Sequence, residues 1–152
     1  MKLSTKSRYG LRALFDIAYH AGMLPGQIKD ISRRQKISPR YLEQIFQELK
    51  RAGLLKSKRG PQGGYRLAKK PEEITLLAIV RATEGQLSLV ECDPPGKDAC
   101  DFDSQCVTQE VWREASKRLT DYLESVTLQD ICSRAKVLGL EQELDHRFMY
   151  FI

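Results

Sequence analysis

No stretch of this 152-residue chain approaches the run of about 20 apolar residues that a membrane-spanning helix requires. The N-terminal stretch carries Lys2 and Lys6 but no apolar segment followed by a small-residue cleavage site. Secretion is therefore not expected, and the cytoplasm is the expected location. Histidine is scarce. His20 and His146 stand alone, neither beside a nucleophile, so no Ser/His or Cys/His constellation supports an enzyme. His20, at the end of a first helix, suits the negative end of the helix dipole, a structural role. The chain lacks internal repeats, low-complexity tracts and the paired CxxC motifs of a structural zinc site. In a reducing compartment its four cysteines point to metal binding or redox sensing rather than to structural disulfides.

Charge is present in abundance but unevenly placed. Residues 1–70 hold 17 Lys and Arg against 4 Asp and Glu, whereas residues 71–152 hold 8 against 16. A basic half joined to an acidic one implies that the first meets a polyanion, most simply the phosphates of double-stranded DNA, whose neutralisation releases counterions. An anionic membrane surface would need an apolar helix face left free, and the basic helices here use theirs for a core.

The basic half reads as three helices and a hairpin. Ser4 or Thr5 caps a helix whose apolar stripe is Leu11, Leu14, Ile17, Ala18 and Ala21. Gly22, Pro25 and Gly26 end it. Ile28 to Arg34 makes a short second helix, Lys36-Ile37 a turn, and Ser38-Pro39 a strong start for a third. In that third helix Leu42, Ile45, Phe46 and Leu49 recur at core spacing, and Gly53 is a natural stop. Two helices about a tight turn, the second basic, predict a helix-turn-helix.

The opposite face of the third helix carries Arg40, Gln44, Gln47 and Arg51. Arg pairs with guanine O6 and N7, and Gln with adenine N6 and N7. Because the N-terminal end of a recognition helix reaches deepest into the groove, Ser38, Arg40, Tyr41, Glu43 and Gln44 are the candidate contacts. Lys56, Lys58 and Arg59 then lead into Gly60-Pro61-Gln62-Gly63-Gly64 and Tyr65-Arg66-Leu67, a basic β-hairpin. Gly63 and Gly64 permit a turn that comes close to another surface, and Arg59 at its tip suits the minor groove. A phosphate-binding nucleotide loop is the poorer reading, since its closing lysine and Ser/Thr are missing.

In the acidic half, Val107, Val111, Trp112, Ala115, Leu119, Tyr122, Leu123 and Val126 form one apolar stripe on a helix from about Thr108 to Ser125. With the winged unit already self-contained, that stripe predicts a homodimer and hence a pseudo-palindromic operator. Between the two lies Cys92-x7-Cys100-x5-Cys106, with Pro94, Pro95 and Gly96 keeping the loop irregular. Three thiolates on a loop suit a soft metal or an iron–sulfur cluster; a thiol redox switch, zinc, or no ligand are the alternatives. Cys132 falls in a short helix and reads as a buried apolar residue. The apolar end of the tail, Phe148 to Ile152, packs on the dimer or docks a partner.

The segments MKLSTKSRYGLRAL, SPRYLEQIFQELKRAGLLKSKRGPQGGYRLAK and ITLLAIVRATEG resemble the IscR/NsrR/RirA/CymR family of bacterial transcription regulators, from Met1 to about Ile131. The resemblance implies a mainly α, winged helix-turn-helix fold of three helices and a β-hairpin wing, with a long C-terminal dimerisation helix. It implies a repressor or activator with DNA contacts at Tyr41, Glu43 and Arg59. It also implies that Cys92, Cys100 and Cys106 ligate a cluster, [2Fe–2S] being favoured over [4Fe–4S]. Three departures stand out. The first cysteine gap is longer than the family pattern. Gln109 occupies the place where the iron–sulfur assembly regulator has a histidine, and Arg8 the place where the nitric-oxide-sensing branch has an acid. Gln109, Glu110, Asp103 and an exogenous thiol or water are the candidate fourth ligands. A regulator of the same fold that senses through thiol chemistry or a partner protein is the runner-up. The expected division is a DNA-binding domain over 1–84, a sensor loop over 85–106, dimerisation and following helices over 107–138, and a tail over 139–152.

Overall fold

Ser4 opens the first helix by accepting the Ser7 backbone N–H at 3.3 Å, and α1 then runs Thr5–Asp16 before widening into one π-helical turn, Ile17–Ala21. This computed structural model of the chain describes residues 2–90 and 105–151, the last three through their backbone only. Gly22, with φ of 62°, ends the π turn in a conformation open to glycine. Helix α2 (Ile28–Gln35) follows, and Lys36 turns the chain in the left-handed region. Helix α3 (Pro39–Arg51) starts as its sequence dictates, with the Ser38 hydroxyl accepting the Tyr41 N–H at 3.2 Å and Pro39 in the first turn.

The apolar face of α3 is the middle of the molecule. Leu42, Ile45, Phe46 and Leu49 are fully buried against Leu14, Ile17 and Ile31. Burial of each such side chain contributes about 1.5–3 kcal/mol, far more than helix propensity does. Strands β1 (Leu55–Lys58) and β2 (Gly64–Leu67) pair antiparallel, with Leu55 opposite Leu67 at the buried base and Lys58 opposite Gly64 near the tip. Gly26 joins this hairpin as a third, one-residue strand: its N–H meets Tyr65 O at 2.7 Å and its O takes the Tyr65 N–H at 2.9 Å.

Helix α4 (Leu76–Glu84), capped by Thr75, lies against α1. Ser7 joins them through a 2.7 Å bond to Thr83 and another 2.7 Å bond to Glu84. Helices α5 (Gln109–Ser125) and α6 (Leu128–Val137) follow, a Thr127–Asp130 capping box starts α6, and the tail ends in a 3-10 helix, His146–Phe151. Between them the chain pairs with the entry to α4: Leu76 N–H donates to Val126 O and Leu128 N–H to Ile74 O. The result is a winged helix-turn-helix, with α2 and α3 as its two helices and β1–β2 as its wing.

The apolar stripe predicted on α5 divides. Leu123 packs inside the chain with Leu77 and Val80, and Leu119 lies half-buried beside them. Val107, Val111 and Trp112 stand 90, 61 and 44% exposed. Among the described residues, Leu119 and Leu123 are the members of the stripe that pack with α4, and Tyr122 beside them is 63% exposed.

Candidate nucleic-acid interface

The N-cap of α3 leaves Ser38, Arg40, Glu43, Gln44 and Gln47 exposed along one edge, because the stripe on the opposite side is locked into the core. Ser38 is exposed, although its hydroxyl already caps the helix. Tyr41 differs from its neighbours. It is half-buried, edge-on to the Tyr9 ring at 5.9 Å, and the Tyr9 ring in turn lies under the Arg12 guanidinium. Its ring therefore ties the head of α3 to α1 as well as facing outward.

The wing lies alongside. Lys56, Lys58 and Arg59 are exposed, and Lys50 of α3 donates to Ser57 of β1 at 2.8 Å, fixing wing to helix. Among the described residues Arg40, Arg51, Lys56, Lys58 and Arg59 form no ion pair, so their charge is available to an external anion. The basic residues of α2 are different. Arg34 holds Asp16, fully buried, with Nη2 at 2.7 Å from Oδ1, and both Arg33 and Arg34 bind Glu143. These two arginines hold the protein together rather than facing a partner.

Gly63 and Gly64 do permit a close approach, but to the chain's own backbone. A Cβ at Gly64 would sit 2.3 Å from Gly26 O, and one at Gly63 2.3 Å from Lys58 O. Gly64 thus seats the wing on the loop after α1, Gly63 lets the hairpin turn close on itself, and Arg59 at the turn is left exposed. The close packing that glycine allows is legible in sequence; which surface it meets is not.

Of the three loop cysteines, Cys92 and Cys100 lie outside the described residues, as does Asp103. Cys106 is half-exposed just before α5, and its Sγ lies 3.3 Å from the Thr108 hydroxyl. That hydroxyl, with the backbone N–H groups of Thr108 and Gln109, holds the thiol below its ordinary pKa, burial opposing only weakly. A thiolate at a helix start is the form that binds a soft metal. Gln109 is the first residue of α5 and donates its N–H to Cys106 O at 3.2 Å, which places it one turn from the sulfur. Glu110 follows, exposed. Among the described residues, no three His, Cys, Asp or Glu side chains converge as a metal site.

The remaining candidates are structural. Cys132 is buried with Tyr19 and Ala135, and burial pushes its thiol above the ordinary value. In His20, burial, the largest influence, lowers the pKa of the ring, and its Nδ1 accepts the Glu143 N–H at 2.9 Å. Its Nε2 lies 3.9 Å from the buried Asp16, whose charge opposes that lowering, so the ring joins the tail to the end of the π turn, a structural role as expected. Sequence spacing could not reveal this, since Glu143 is 123 residues away.

The sequence pattern of the Rrf2 family, described as iron-dependent transcriptional regulators, matches residues 3–134. The HTH-type transcriptional regulator IscR of Aliivibrio salmonicida (strain LFI1238) is 41% identical over 131 residues, 86% of this chain and 77% of that protein. IscR of Vibrio vulnificus (strain YJ016) is 39% identical over 145 residues, 95% of this chain and 85% of that protein. Among solved structures, T. potens IscR superposes with a TM-score of 0.74 at 39% identity, covering 99% of this chain and 96% of that one. CymR, the global cysteine regulator of B. subtilis, gives 0.73 at 37% identity, covering 88% and 98%.

Proposed function

Because this chain belongs to the Rrf2 family of transcriptional regulators, we propose that it binds a pseudo-palindromic operator as a homodimer under the control of an iron–sulfur cluster on its three-cysteine loop. The observation that carries the DNA reading is the joint exposure of the α3 edge and the adjoining wing cations Lys56, Lys58 and Arg59. In this reading Arg40, Glu43 and Gln44 face base edges in the major groove, with Ser38 and Tyr41 at the head of the helix. Arg59 enters the minor groove, with Gly63 and Gly64 shaping the turn behind it.

Arg59→Ala is expected to weaken binding to a selected operator duplex about tenfold, and binding to random duplex by less. A minor-groove arginine reads groove width as well as charge. Fluorescence anisotropy at fixed salt measures both affinities, and equal losses would reduce Arg59 to a phosphate contact.

The cluster reading rests on Cys106, whose thiol is held toward thiolate at the head of α5. Cys92 and Cys100 are the other ligands, and Gln109 is the candidate fourth. When bound, the cluster supplies a redox- and iron-sensitive group, [2Fe–2S] rather than [4Fe–4S]. The chain's own part is transmission. Helix α5 leads from Cys106 to Val126, whose carbonyl accepts the Leu76 N–H at the head of α4. A rearranged loop would thereby bias the junction between α5 and the winged unit, and with it the spacing of two recognition helices.

Anaerobic purification with a visible spectrum and iron and sulfide counts tests this directly. Single Ala substitutions at Cys92, Cys100 or Cys106 are expected to remove iron and visible absorption while far-UV circular dichroism is retained. Cys132→Ala is expected to keep both. Gln109→His is expected to lengthen the lifetime of the cluster in air. Iron-free wild-type protein whose DNA binding still responds to a thiol oxidant would replace the cluster with a direct thiol switch.

A further inference from the structure

The tail after α6 runs back across the winged unit and ends on the wing. Tyr19 donates its hydroxyl to Leu140 O, Gln142 donates to Tyr19 O at 2.8 Å, and Glu143 bridges His20, Arg33 and Arg34. This anchored approach delivers Arg147 to the back of the hairpin. Its Nη1 donates to Gly63 O at 2.7 Å and Pro61 O at 3.1 Å, its Nη2 to Pro25 O at 3.3 Å. The Asp145 carboxylate takes its Nε at 2.9 Å and its Nη2 at 2.7 Å.

All five N–H donors of the guanidinium therefore have acceptors within the protein. The group is mostly buried, with 18% side-chain exposure, and so is not a phosphate contact. What it joins is informative. Pro25 adjoins Gly26, and Gly63 adjoins Gly64 and Tyr65, so the guanidinium spans the two segments that the Gly26–Tyr65 bridge pairs. The turn it grips contains Gly60 at φ 101° and Gly64 at φ 145°, and a two-stranded hairpin of this kind is marginally stable alone. Arg59 sits at the start of that turn, and Gly63 N–H donates to Gly60 O within it.

We propose that Arg147 is a positioning residue for DNA recognition: its guanidinium clamps the glycine-rich wing turn to the loop after α1 and so sets where Arg59 is presented. The clamp makes the tail part of the DNA-reading unit, and its role in recognition rests on the reading above that the wing contacts DNA. Charge-assisted bonds to main-chain carbonyls suit this task, because a rigid planar fork fixes direction as well as distance.

The test uses the full chain and a duplex that it selects from a randomised pool. Arg147→Met keeps the aliphatic stem and removes every donor; Arg147→Lys keeps the charge and loses the fork. Hydrogen exchange at the Gly26, Gly63 and Tyr65 amides is expected to speed up about tenfold or more in Arg147→Met, with α3 amides unchanged. The ratio of selected-duplex to random-duplex affinity is expected to fall about tenfold, a change that loss of general stability would not produce. Arg147→Lys is expected to fall between the two and serves as the test if Arg147→Met does not fold. Unchanged wing exchange would overturn the clamp. Faster exchange with an unchanged ratio would overturn its role in recognition. Arg59→Ala separates the two readings: if it leaves the ratio intact, the wing does not read DNA and the recognition role of Arg147 falls with it, whatever the exchange rates.

Discussion

Val111→Glu combined with Trp112→Glu is expected to give a folded monomer that loses about a hundredfold of its affinity for a two-half-site duplex. Both side chains lie on the N-terminal half of α5, 61 and 44% exposed on the single chain, and neither packs into the apolar core of the described residues. Joined to Val107 they make an apolar face that a second copy would cover, and two carboxylates at its centre would be buried without partners. Losing the second subunit turns one bivalent event into two independent weak ones. Sedimentation velocity gives the assembly state and anisotropy the affinity. A persisting dimer would move the interface to another face. The same substitutions at Leu119 and Leu123 would be a poorer test, because Leu123 packs on Leu77 and Val80 and its loss would damage the monomer itself.

Asp16→Ala is expected to cost about 3 kcal/mol of unfolding free energy, measured by urea denaturation, because it strips a buried charge pair of one partner. Asp16 is fully buried and accepts from Arg34 at 2.7 and 3.0 Å and from Gln35 at 2.9 Å. The arginine left behind has a side chain only 14% exposed. It keeps one contact, with Glu143 at 3.4 Å, which softens the loss but does not replace the bidentate pair. The exposed Lys117–Asp121 pair on α5 offers the contrast, since water screens it and its removal is expected to leave stability nearly unchanged. A loss below 1 kcal/mol for Asp16→Ala would mean that Arg34 reaches solvent or Glu143 well enough to need no buried partner. Functionally the pair matters because it pins α2 to α1, and the Lys36 turn hands that position on to α3.

The two predictions bracket the regulator's parts. Asp16 and Arg34 hold α2 against α1, while in the proposed reading the exposed N-terminal part of α5 would set how many winged units meet the operator. Glu143 connects the first part to the tail. Its carboxylate is held down to about 2 by Arg33 and then Arg34, so the latch stays charged across the physiological range. A group lowered in this way stabilises above its ordinary value and ceases to do so as pH falls through the lowered one. This one contact of the tail therefore weakens only below the ordinary carboxylate range.

Local chemistry wrote much of the molecule in the sequence. Ser38-Pro39 starts α3 and the spacing of Leu42, Ile45, Phe46 and Leu49 orients it, because caps and helical period act within a few residues. The hairpin is legible for the same reason, its glycines marking the turn between Lys58 and Tyr65. What covers a face is a different matter. Periodicity shows that α5 is apolar along one side, but only the packing of α4 decides that Leu123 is an internal residue and Trp112 is not. The tail was least legible of all. An arginine in an apolar run carries no mark of its destination, and Arg147 meets Gly63 across 84 residues. His20 likewise accepts from Glu143 across 123 residues, and Gly64 lies against Gly26 across the hairpin's far side. Sequence determined the elements because their signals are short-range; tertiary structure alone decided their partners, because a partner is chosen by which surfaces the folded core brings within bonding distance.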